Sequence, residues 1–445
     1  MSRPARLPVV FIAIVLTLAG AALTGPYLDE PAEAAARCAG RHWVGAWAAA
    51  PSNAGHQGGI PGTRPLAAQT VRMVVRPTLG GKLVRVRLSH RYGESPARIA
   101  HATVALRDQD AAAVPGTVRS LTFGGERETT LEPGRDVVSD PVALHARPGR
   151  DLLVSLHIPD VVDRPTEHFV TNQTSYLSVS GSGDHAADQA GLAFPLETRH
   201  MFSVGWYFLS GVDVLAPRRA GAVVAFGDSV TDGFQVTGSG PIEDPAAIDQ
   251  NARYPDFLSA RIRSNRTPPL SVLNSGISGN RVLADAESPW PYGDAALDRF
   301  EADALRLPGA TDLILMEGLN DLGNDESLTA RRLIEGLRTL ALRARRAGLA
   351  VHLGTLTPTG GARQGEGHGS QETARRRAIV NRWIRISGVA DSVVDFDRAL
   401  RDPSDPSRLR PAYDSGDHLH PNSAGYRAMA AAVRLSRLKG TGCQR

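Results

Sequence analysis

Residues 222–233 of the chain read Ala-Val-Val-Ala-Phe-Gly-Asp-Ser-Val-Thr-Asp-Gly. The apolar run at 222–226 has the length expected of a strand that is buried on both faces of a sheet. Gly227 permits a tight turn after it, and Ser229 follows where the chain can enter a helix. The stretch therefore predicts a buried strand with a candidate nucleophile at its end. Gly-Asp-Ser-Val-Thr is also typical of a helix N-cap, and that alternative stays open here.

Four further apolar runs follow, with helical patterns between and after them. The runs lie at 270–273, 313–316, 349–353 and 393–396. Residues at helical spacing that share an apolar face are Leu333, Leu337, Leu340 and Ala344, then Ile379, Trp383 and Ile386, then Tyr426, Met429, Ala430 and Val433. Strand and helix in alternation predict an α/β fold, a flavodoxin-like parallel sheet with helices on both faces, over residues 222–440. Ligands bind such sheets beyond the carboxyl ends of the strands.

Residues 41–215 have a different pattern, in which apolar residues alternate at period two between closely spaced Gly and Pro. In the stretch 83–88, valine and leucine share one face while two arginines share the other. Similar runs lie at 71–75, 99–106, 152–158 and 204–214. This pattern predicts an all-β, jelly-roll-like antiparallel sandwich before the α/β region. A linker over 216–221, which contains Pro and Arg, is expected to join the two.

The first 36 residues resemble a segment for export. Arg3 and Arg6 precede an uncharged apolar run at 7–25, and small residues suited to cleavage follow at 32–36. The pattern predicts a signal peptide over 1–36 and a secreted, extracellular protein. An uncleaved membrane anchor is the alternative, because the apolar run is just long enough to span a bilayer. Contact with a membrane is expected only in that case.

The chain has two cysteines, Cys38 just after the export segment and Cys443 near the end. In an oxidising compartment the two can pair and close nearly the whole mature chain into one loop. Two free thiols near the ends are the alternative. Neither cysteine has a His or Cys neighbour in the arrangement of a zinc site, so no metal is expected there.

Composition excludes several classes of protein. At 445 residues, the chain is too long for one compact core. It is 42% hydrophobic and 22% charged, which is too apolar for a disordered chain. About two folded domains are expected. The 50 basic and 46 acidic residues are spread along the whole length, with a net charge of +4. Because no arm or tail concentrates the excess, nucleic-acid binding is not expected.

Two more polar blocks stand at the ends of predicted strands. The second strand is followed by Asn-Ser-Gly-Ile-Ser-Gly-Asn at 274–280, a loop that can bring backbone N–H donors close to a substrate or can be a simple turn. The third strand ends in Glu-Gly-Leu-Asn-Asp at 317–321. The side-chain amide of Asn320 can donate a hydrogen bond to a developing oxyanion, although an asparagine alone is more typical of a turn.

The last block, Asp-His-Leu-His-Pro-Asn at 417–422, stands before the final helix. Asp417 lies three residues before His420 and can hold its imidazole in one tautomer, as a general base requires. His418 and His420 alternate, and such a pair can also bind a metal. Further ligands at suitable spacing are not evident, so no metal is expected here.

Other polar residues are given structural interpretations. His352, inside an apolar run, is expected to be a core residue with its polar atoms satisfied. His368 lies in the Gly-rich run 360–370, which predicts a mobile loop. The arginines around the helical face at 331–346, and those at 375–377, are expected to be solvated surface.

The order Gly-Asp-Ser-x-Thr, then Gly279, then Gly-x-Asn-Asp, then Asp-x-x-His-Pro resembles the SGNH, or GDSL-type, hydrolase family over residues 222 to about 438. The resemblance implies that Ser229 is the nucleophile, with His420 and Asp417 as the other members of a triad. Val230 stands where the family name has Leu.

The same resemblance implies an oxyanion hole made of the backbone N–H groups of Ser229 and Gly279 and the side-chain amide of Asn320. It also implies acyl transfer through an acyl-enzyme on an ester substrate, without a cofactor. Trp290 and Tyr292 lie in an irregular stretch that is able to overhang the cleft, and we expect them to line the acyl or sugar site.

The region that begins Trp-Val-Gly-Ala-Trp at 43–47 resembles the β-rich domain that precedes the catalytic domain in exported esterases of this family associated with polysaccharide deacetylation. The sequence therefore predicts a secreted serine esterase that hydrolyses short acyl esters, especially acetyl esters, on polysaccharide. A lipase or acylhydrolase acting on lipid esters is the alternative, which the lack of a long apolar lid disfavours. A non-catalytic wall-binding or glycan-binding protein is a further alternative, disfavoured because every residue of the motifs is kept.

Overall fold

The computed structural model describes residues 38–53, 65–198, 205–235, 246–265, 269–285, 287, 292–363 and 367–444. The predicted signal segment at 1–36 and the candidate site residue Trp290 lie outside this set. Within it, no helix combines the length and the apolar character that crossing a membrane requires.

The first region, called the β-rich half below, extends from Cys38 to Pro217 and contains antiparallel strands. The strands described in it are β1 (Arg41–Ala48), β2 (Leu66–Val75), β3 (Gly81–Ser89), β4 (Ala97–Ile99), β5 (His101–Leu106), β6 (Arg119–Ser120), β7 (Thr129–Leu131), β8 (Asp136–Val138), β9 (Val142–Ala146), β10 (Leu152–Val162), β11 (Glu167–His168), β12 (Ser175–Leu177), β13 (Leu196–Thr198), β14 (Trp206–Tyr207) and β15 (Leu209–Pro217).

Two main sheets form the β-rich half. One has the order β1-β15-β3-β8, with β9 also paired to β3, and the other has the order β13-β12-β2-β10-β5-β6. The predicted alternation in β3 is confirmed, because its valines and Leu88 are fully buried while Arg85 and Arg87 face the other side and form ion pairs with Asp213 of β15. The expectation of an antiparallel all-β region before the α/β fold is thus confirmed.

The strands of this half differ from the predicted runs at three places. Residue 100 separates β4 from β5, and Phe208, with a φ of 57°, separates β14 from β15. In addition, β15 continues to Pro217 because its last residues pair with the start of β1. Only residues 218–220 therefore connect the last strand of the β-rich half to the next strand, a shorter connection than the predicted linker at 216–221.

The remaining residues, called the α/β half below, contain five parallel strands. These are β16 (Gly221–Gly227), β17 (Leu270–Gly276), β18 (Ala310–Met316), β19 (Ala350–Gly354) and β20 (Ser392–Val394). Their order in the sheet is β17-β16-β18-β19-β20, and every pair is parallel, which confirms the flavodoxin-like prediction. The predicted run at 393–396 is wrong at its end, because Asp395 accepts a hydrogen bond from the Arg398 N–H and caps a helix that begins at Phe396.

Eight α-helices are described in this half. They are α1 (Ser229–Asp232), α2 (Tyr254–Ser264), α3 (Ala296–Phe300), α4 (Leu319–Asn324), α5 (Ala330–Arg346), α6 (Gln371–Ile386), α7 (Phe396–Leu400) and α8 (Ser423–Ala432). A π-helical turn, Glu301–Leu305, follows α3, and three short 3-10 turns are Pro411–Tyr413, Leu435–Arg437 and Gly442–Gln444. Helix α8 packs with α2 and α7, whereas α5 packs with α3 and α6. The predicted apolar faces of α5 and α8 are buried, as expected.

The predicted face of α6 is wrong. Ile379 and Ile386 are 50% and 72% exposed, whereas Arg376 and Arg377 are buried. Arg376 donates hydrogen bonds to the carbonyl oxygens of several residues in and after α4, and Arg377 forms an ion pair with Asp397. The helix thus turns its arginines inward to satisfy polar groups of neighbouring loops, a use that an apolar pattern does not reveal.

The two halves share a continuous apolar core and several polar contacts. Thr78 of the β-rich half bonds to both the carbonyl oxygen and the N–H of Val272 in β17. Cys38 and Cys443 form a disulfide that joins the region before β1 to the C-terminal segment. The sequence left open a disulfide or two free thiols, and the structure contains the disulfide.

Candidate active site

Ser229 lies at the junction between β16 and α1. Gly227 is the last residue of β16, at a position with no room for a side chain. A Cβ there would lie 2.2 Å from the Met316 carbonyl oxygen. Asp228 caps the helix, since its Oδ1 accepts a hydrogen bond of 3.0 Å from the Val230 N–H. Asp228, and not the serine, therefore serves the N-cap that the sequence left open. The Ser229 hydroxyl keeps its hydrogen-bonding capacity for other partners.

That hydroxyl contacts His420, although 191 positions separate the two in the sequence. The distance from Ser229 Oγ to His420 Nε2 is 2.8 Å, and His420 Nδ1 lies 2.6 Å from Asp417 Oδ2. The other oxygen of Asp417 accepts hydrogen bonds from the backbone N–H groups of Leu419 and His420. With Nδ1 donating to the carboxylate, Nε2 is left as the acceptor for the serine proton.

The charge of Asp417 is set by these neighbours. Burial raises the pKa of the carboxyl, but the charge of His420 and the hydrogen bonds from its ring and backbone outweigh burial, and the pKa falls to about 2. The carboxylate is therefore ionised near neutral pH. In this state it can fix the tautomer of the imidazole and stabilise an imidazolium ion.

Two further carboxyl groups are buried behind the serine. Burial raises the pKa of Asp228 to about 7, and it raises the pKa of Glu317 well above its ordinary value. Arg299 is the nearby cation, with its Nη2 3.6 Å from Glu317 Oε2. The same guanidinium donates to the carbonyl oxygens of Gly227 and Ser275, and so ties the ends of β16 and β17 together.

The predicted oxyanion donors converge on the same edge of the sheet. Asn320, in the first turn of α4, donates through Nδ2 to the carbonyl oxygen of Asn280 at 2.9 Å. This bond brings α4 against the loop that contains Gly279. Gly279 has a φ of +80°, and a Cβ there would lie 2.4 Å from the ring of Tyr292, so the position requires glycine twice over.

His368 is a neighbour of this site that the sequence interpretation placed in a mobile loop. The structure instead buries it, with 4% of its surface exposed, and puts Nε2 3.2 Å from Oδ1 of Asn320. The ring packs over Gly323, where a Cβ would lie 2.4 Å away. With Oδ1 held by His368 and one N–H held by Asn280, the amide of Asn320 retains one N–H for a ligand. In the sequence, the only local sign of this contact is that His368 stands between two glycines.

The remaining predicted residues are distributed as follows. Tyr292 borders the loop through its ring and accepts a bond from Asn280 Nδ2 through its carbonyl oxygen, and burial raises the pKa of its phenol to about 12. His418 pairs with Asp414 at 2.5 Å instead of sharing a ligand with His420. Across the described ranges, no group of three or more His, Cys, Asp and Glu side chains is arranged to hold a metal ion.

Comparison with known proteins assigns the α/β half to a family. Residues 225–428 match the sequence model of the GDSL-like lipase/acylhydrolase family. No curated protein matches the chain. Among solved structures, the aryl esterase of M. smegmatis is 17% identical, with a TM-score of 0.37, over 48% of this chain and 95% of that one.

Two other solved structures give similar values. A lipase/acylhydrolase from Enterococcus faecalis is 19% identical, with a TM-score of 0.36, over 48% of this chain and 92% of that one. A GDSL-like lipase from Bacteroides thetaiotaomicron is 18% identical, with a TM-score of 0.34, over 48% and 87%. On the strength of the sequence match and the fold, residues 225–428 are a GDSL-like lipase/acylhydrolase domain, and the protein is a carboxylic ester hydrolase.

Proposed function

We propose that this protein is a secreted serine esterase that removes short acyl groups, especially acetyl groups, from polysaccharide. Its catalytic triad is Ser229, His420 and Asp417. The observation that carries the proposal is the unbroken chain of hydrogen bonds from Ser229 Oγ through the imidazole to Asp417, with distances of 2.8 and 2.6 Å. The Ser229 end of this series of hydrogen bonds lies at the carboxyl edge of the parallel sheet, where ligands bind in such folds.

In the first step, Ser229 Oγ attacks the ester carbonyl carbon while His420 Nε2 takes the hydroxyl proton. The negative charge that develops on the carbonyl oxygen is stabilised by the N–H groups of Ser229 and Gly279 and by the free N–H of Asn320. Collapse of the tetrahedral intermediate breaks the bond to the alcohol. The imidazolium gives its proton to the departing oxygen, which leaves Ser229 acylated.

In the second step, water replaces the alcohol. His420 accepts a proton from the water as its oxygen attacks the acyl carbon, and then returns that proton to Ser229 Oγ when the acid leaves. Asp417 remains an anion throughout, because its pKa lies near 2. The products are the free hydroxyl of the substrate and a carboxylic acid.

Support for a short acyl group comes from the walls of the site. The ring of Tyr292 packs on Gly279 beside the proposed oxyanion donors. Phe234 packs edge-on against the imidazole of His420 with ring centroids 4.7 Å apart, and Val170 of the β-rich half contacts Phe234. Support for export comes from the disulfide between Cys38 and Cys443, which is typical of oxidising compartments.

The nucleophile is tested with Ser229→Ala, assayed on p-nitrophenyl acetate beside the wild type. We expect kcat/KM to fall on the order of 10⁴-fold or more, with an unchanged melting temperature, because the fold does not depend on the Ser229 hydroxyl. Full activity in this variant would refute the triad. A wild type without activity on any ester would favour the glycan-binding alternative.

The substrate is tested with p-nitrophenyl esters from acetate to palmitate and with acetylated polysaccharides. We expect the highest kcat/KM on acetate and release of acetic acid from at least one polysaccharide. A maximum at long acyl chains would instead favour the lipase alternative.

A further inference from the structure

His168, the last residue of β11 in the β-rich half, is a buried histidine in contact with α1. It is 3% exposed. Its Nδ1 lies 2.8 Å from the carbonyl oxygen of Ala50. Its Nε2 lies 3.0 Å from the carbonyl oxygen of Val170 and 3.0 Å from Oδ1 of Asp232. Each ring nitrogen thus faces only oxygen acceptors.

This arrangement favours the protonated form of the imidazole. A neutral ring has one donor and one acceptor nitrogen, so it would point a lone pair at an oxygen on one side. The protonated ring donates from both nitrogens and satisfies all three contacts. Burial lowers the pKa of His168, but the charge and hydrogen bond of Asp232 and the bond to Ala50 outweigh burial and raise the pKa above its ordinary value.

Asp232 joins this imidazole to the loop 277–280 after β17, which contains Gly279 and is called the oxyanion loop below. The residue is the last of α1, three positions after Ser229. Its Oδ1 faces His168, and its Oδ2 accepts two hydrogen bonds from Ser278, at 2.9 Å from the backbone N–H and at 2.7 Å from Oγ. A single carboxylate therefore connects the β-rich half, the helix of the nucleophile and the loop after β17.

The residue after Ser278 is Gly279. On its other side, the carbonyl oxygen of Asn280 accepts the bond from Asn320. The N–H of Gly279 thus lies between two anchored residues, one held by Asp232 and the other by Asn320. The two hydrogen bonds from Ser278 to Asp232 hold the residue directly before this N–H, and oxyanion donors act only when they are held in place before the reaction.

The β-rich half holds His168 firmly. Trp206 stacks on the imidazole with ring centroids 5.5 Å apart, and its indole N–H donates to the carbonyl oxygen of Val74. Trp47 packs against Trp206 at 4.8 Å. Near the same contact, Asn172 Nδ2 donates to the carbonyl oxygen of Gly233, directly after α1.

We propose that His168 and Asp232 are positioning residues for the esterase reaction, through which the β-rich half holds the Ser278-Gly279 peptide in place to bind the oxyanion. The β-rich half is then an integral part of the active site in addition to any contact with glycan. This inference rests on the proposed function, because it concerns the oxyanion hole of that reaction.

The test compares His168→Leu, which removes every hydrogen bond of the ring, with His168→Gln, which keeps an N–H donor. We expect kcat on p-nitrophenyl acetate to fall about 30- to 100-fold in His168→Leu, with KM changed by less than about threefold, and His168→Gln to recover part of the loss. A short-chain trifluoromethyl ketone adds to the serine as an oxyanion mimic. Its inhibition constant is expected to rise by the factor by which kcat/KM falls.

Thr78→Val is the matched control, because it removes a contact between the two halves at Val272, in the middle of β17, instead of at the carboxyl edge. We expect it to lower the melting temperature without a change in kcat or in the inhibition constant. Ser278→Ala is the milder variant for the case that His168→Leu does not fold. It removes one of the two bonds to Asp232, and we expect a loss of kcat of about 3- to 10-fold.

The outcomes separate this inference from the proposed function. Wild-type kcat and ketone inhibition in folded His168→Leu, or in Ser278→Ala if His168→Leu does not fold, would overturn the positioning role, while an inactive Ser229→Ala would leave the proposed function in place. Activity in Ser229→Ala would refute the proposed function and the inference with it. A loss of kcat in Thr78→Val equal to that in His168→Leu would show a general effect of the interface and would also overturn the inference.

Discussion

Among its described residues, the α/β half has two hydrogen-bonded series of Ser, His and Asp side chains, called the two chains below. Their comparison shows that such hydrogen bonds by themselves do not make a serine a nucleophile. The first joins Ser229, His420 and Asp417 with distances of 2.8 and 2.6 Å. The second joins Ser392 to His352 at 2.7 Å, and His352 to Asp312 at 3.0 Å. Both imidazoles are buried.

The second chain lies inside the sheet. Ser392 begins β20, and its backbone pairs with His352 of β19. Asp312 belongs to β18 and accepts hydrogen bonds from the N–H groups of Lys439 and Gly440, so this cluster holds the C-terminal segment against the sheet. The first chain stands instead where β16 gives way to α1, beside the loop of Gly279. Distances alone therefore do not distinguish the proposed nucleophile Ser229 from Ser392, whereas a position at a strand end beside the proposed oxyanion donors does.

The largest expected difference between the two chains is in catalysis. His420→Ala is expected to lower kcat/KM on p-nitrophenyl acetate on the order of 10⁴-fold or more, with little change in melting temperature. His352→Ala should do the reverse, because it leaves a buried carboxylate without its main partner but touches nothing at the strand ends. Steady-state kinetics and thermal melts of both variants check this. A folded His352→Ala with the same loss of kcat would remove the distinction.

The next effect concerns two buried asparagines. Asn320→Ala should lower kcat about 10²- to 10³-fold, or about 3 to 4 kcal/mol of barrier, because an oxyanion donor is lost. Asn381 is the matched control, since it is also buried but bonds at both ends of its amide to the backbone of Leu356. Asn381→Ala is expected to lower the melting temperature and to leave kcat unchanged. Equal kcat in Asn320→Ala and wild type would exclude Asn320 from the oxyanion hole.

The sequence could predict the parallel strands and the polar residues that follow them, because each strand and each motif is a short continuous stretch of residues. The five parallel strands and the candidate residues at their ends follow from motifs that each span a few residues. The parallel sheet is thus confirmed, apart from the end of its last predicted run, and the catalytic roles stay predictions. The face of α6 was missed because Arg376 and Arg377 point inward to carbonyl and carboxylate groups that are distant in sequence.

The contacts around the oxyanion loop could not be predicted for the same reason. His168 lies in a two-residue strand of the β-rich half, 64 positions before its partner Asp232, and no periodic pattern connects them. His368 meets Asn320 across 48 positions through a glycine-rich segment that gives no apolar signal. Local patterns specify elements, whereas these side chains are brought together only by the packing of elements.

The two chains also differ in the pKa of a buried carboxyl group, which is Asp228 next to Ser229 in the first case and Asp312 itself in the second. Burial raises the pKa of Asp228 from 3.8 to about 7, whereas hydrogen bonds from His352 and the backbone outweigh burial and lower the pKa of Asp312. A raised carboxyl pKa means that the folded state binds the proton more tightly, so this group lowers stability as the pH rises from about 4 to 7. The lowered pKa of Asp312 has the opposite effect, since its contribution is present above the unfolded pKa and is lost in acid.

Asp228→Asn is therefore expected to raise the free energy of unfolding at pH 8, on the order of 3 kcal/mol, because the amide keeps the helix cap and needs no proton. The gain should shrink towards zero near pH 4. Asp312→Asn should instead destabilise the protein at pH 8, with a difference that shrinks in strong acid. Denaturant titrations at the two pH values check both signs, and a gain in Asp228→Asn that is independent of pH would contradict the raised pKa.

The smallest expected effect is that of Ser392→Ala. The hydroxyl makes one hydrogen bond to His352 at the edge strand, so its removal should cost about 1 kcal/mol of stability and none of the activity. A fluorophosphonate probe, which reacts with activated serines, is expected to label Ser229 in wild type and in Ser392→Ala, and to label nothing in Ser229→Ala. Mass spectrometry of the labelled peptides reads the site directly. Label on Ser392 would mean that a hydrogen-bonded imidazole is enough to activate a serine inside a sheet, which is the conclusion that the comparison of the two chains denies.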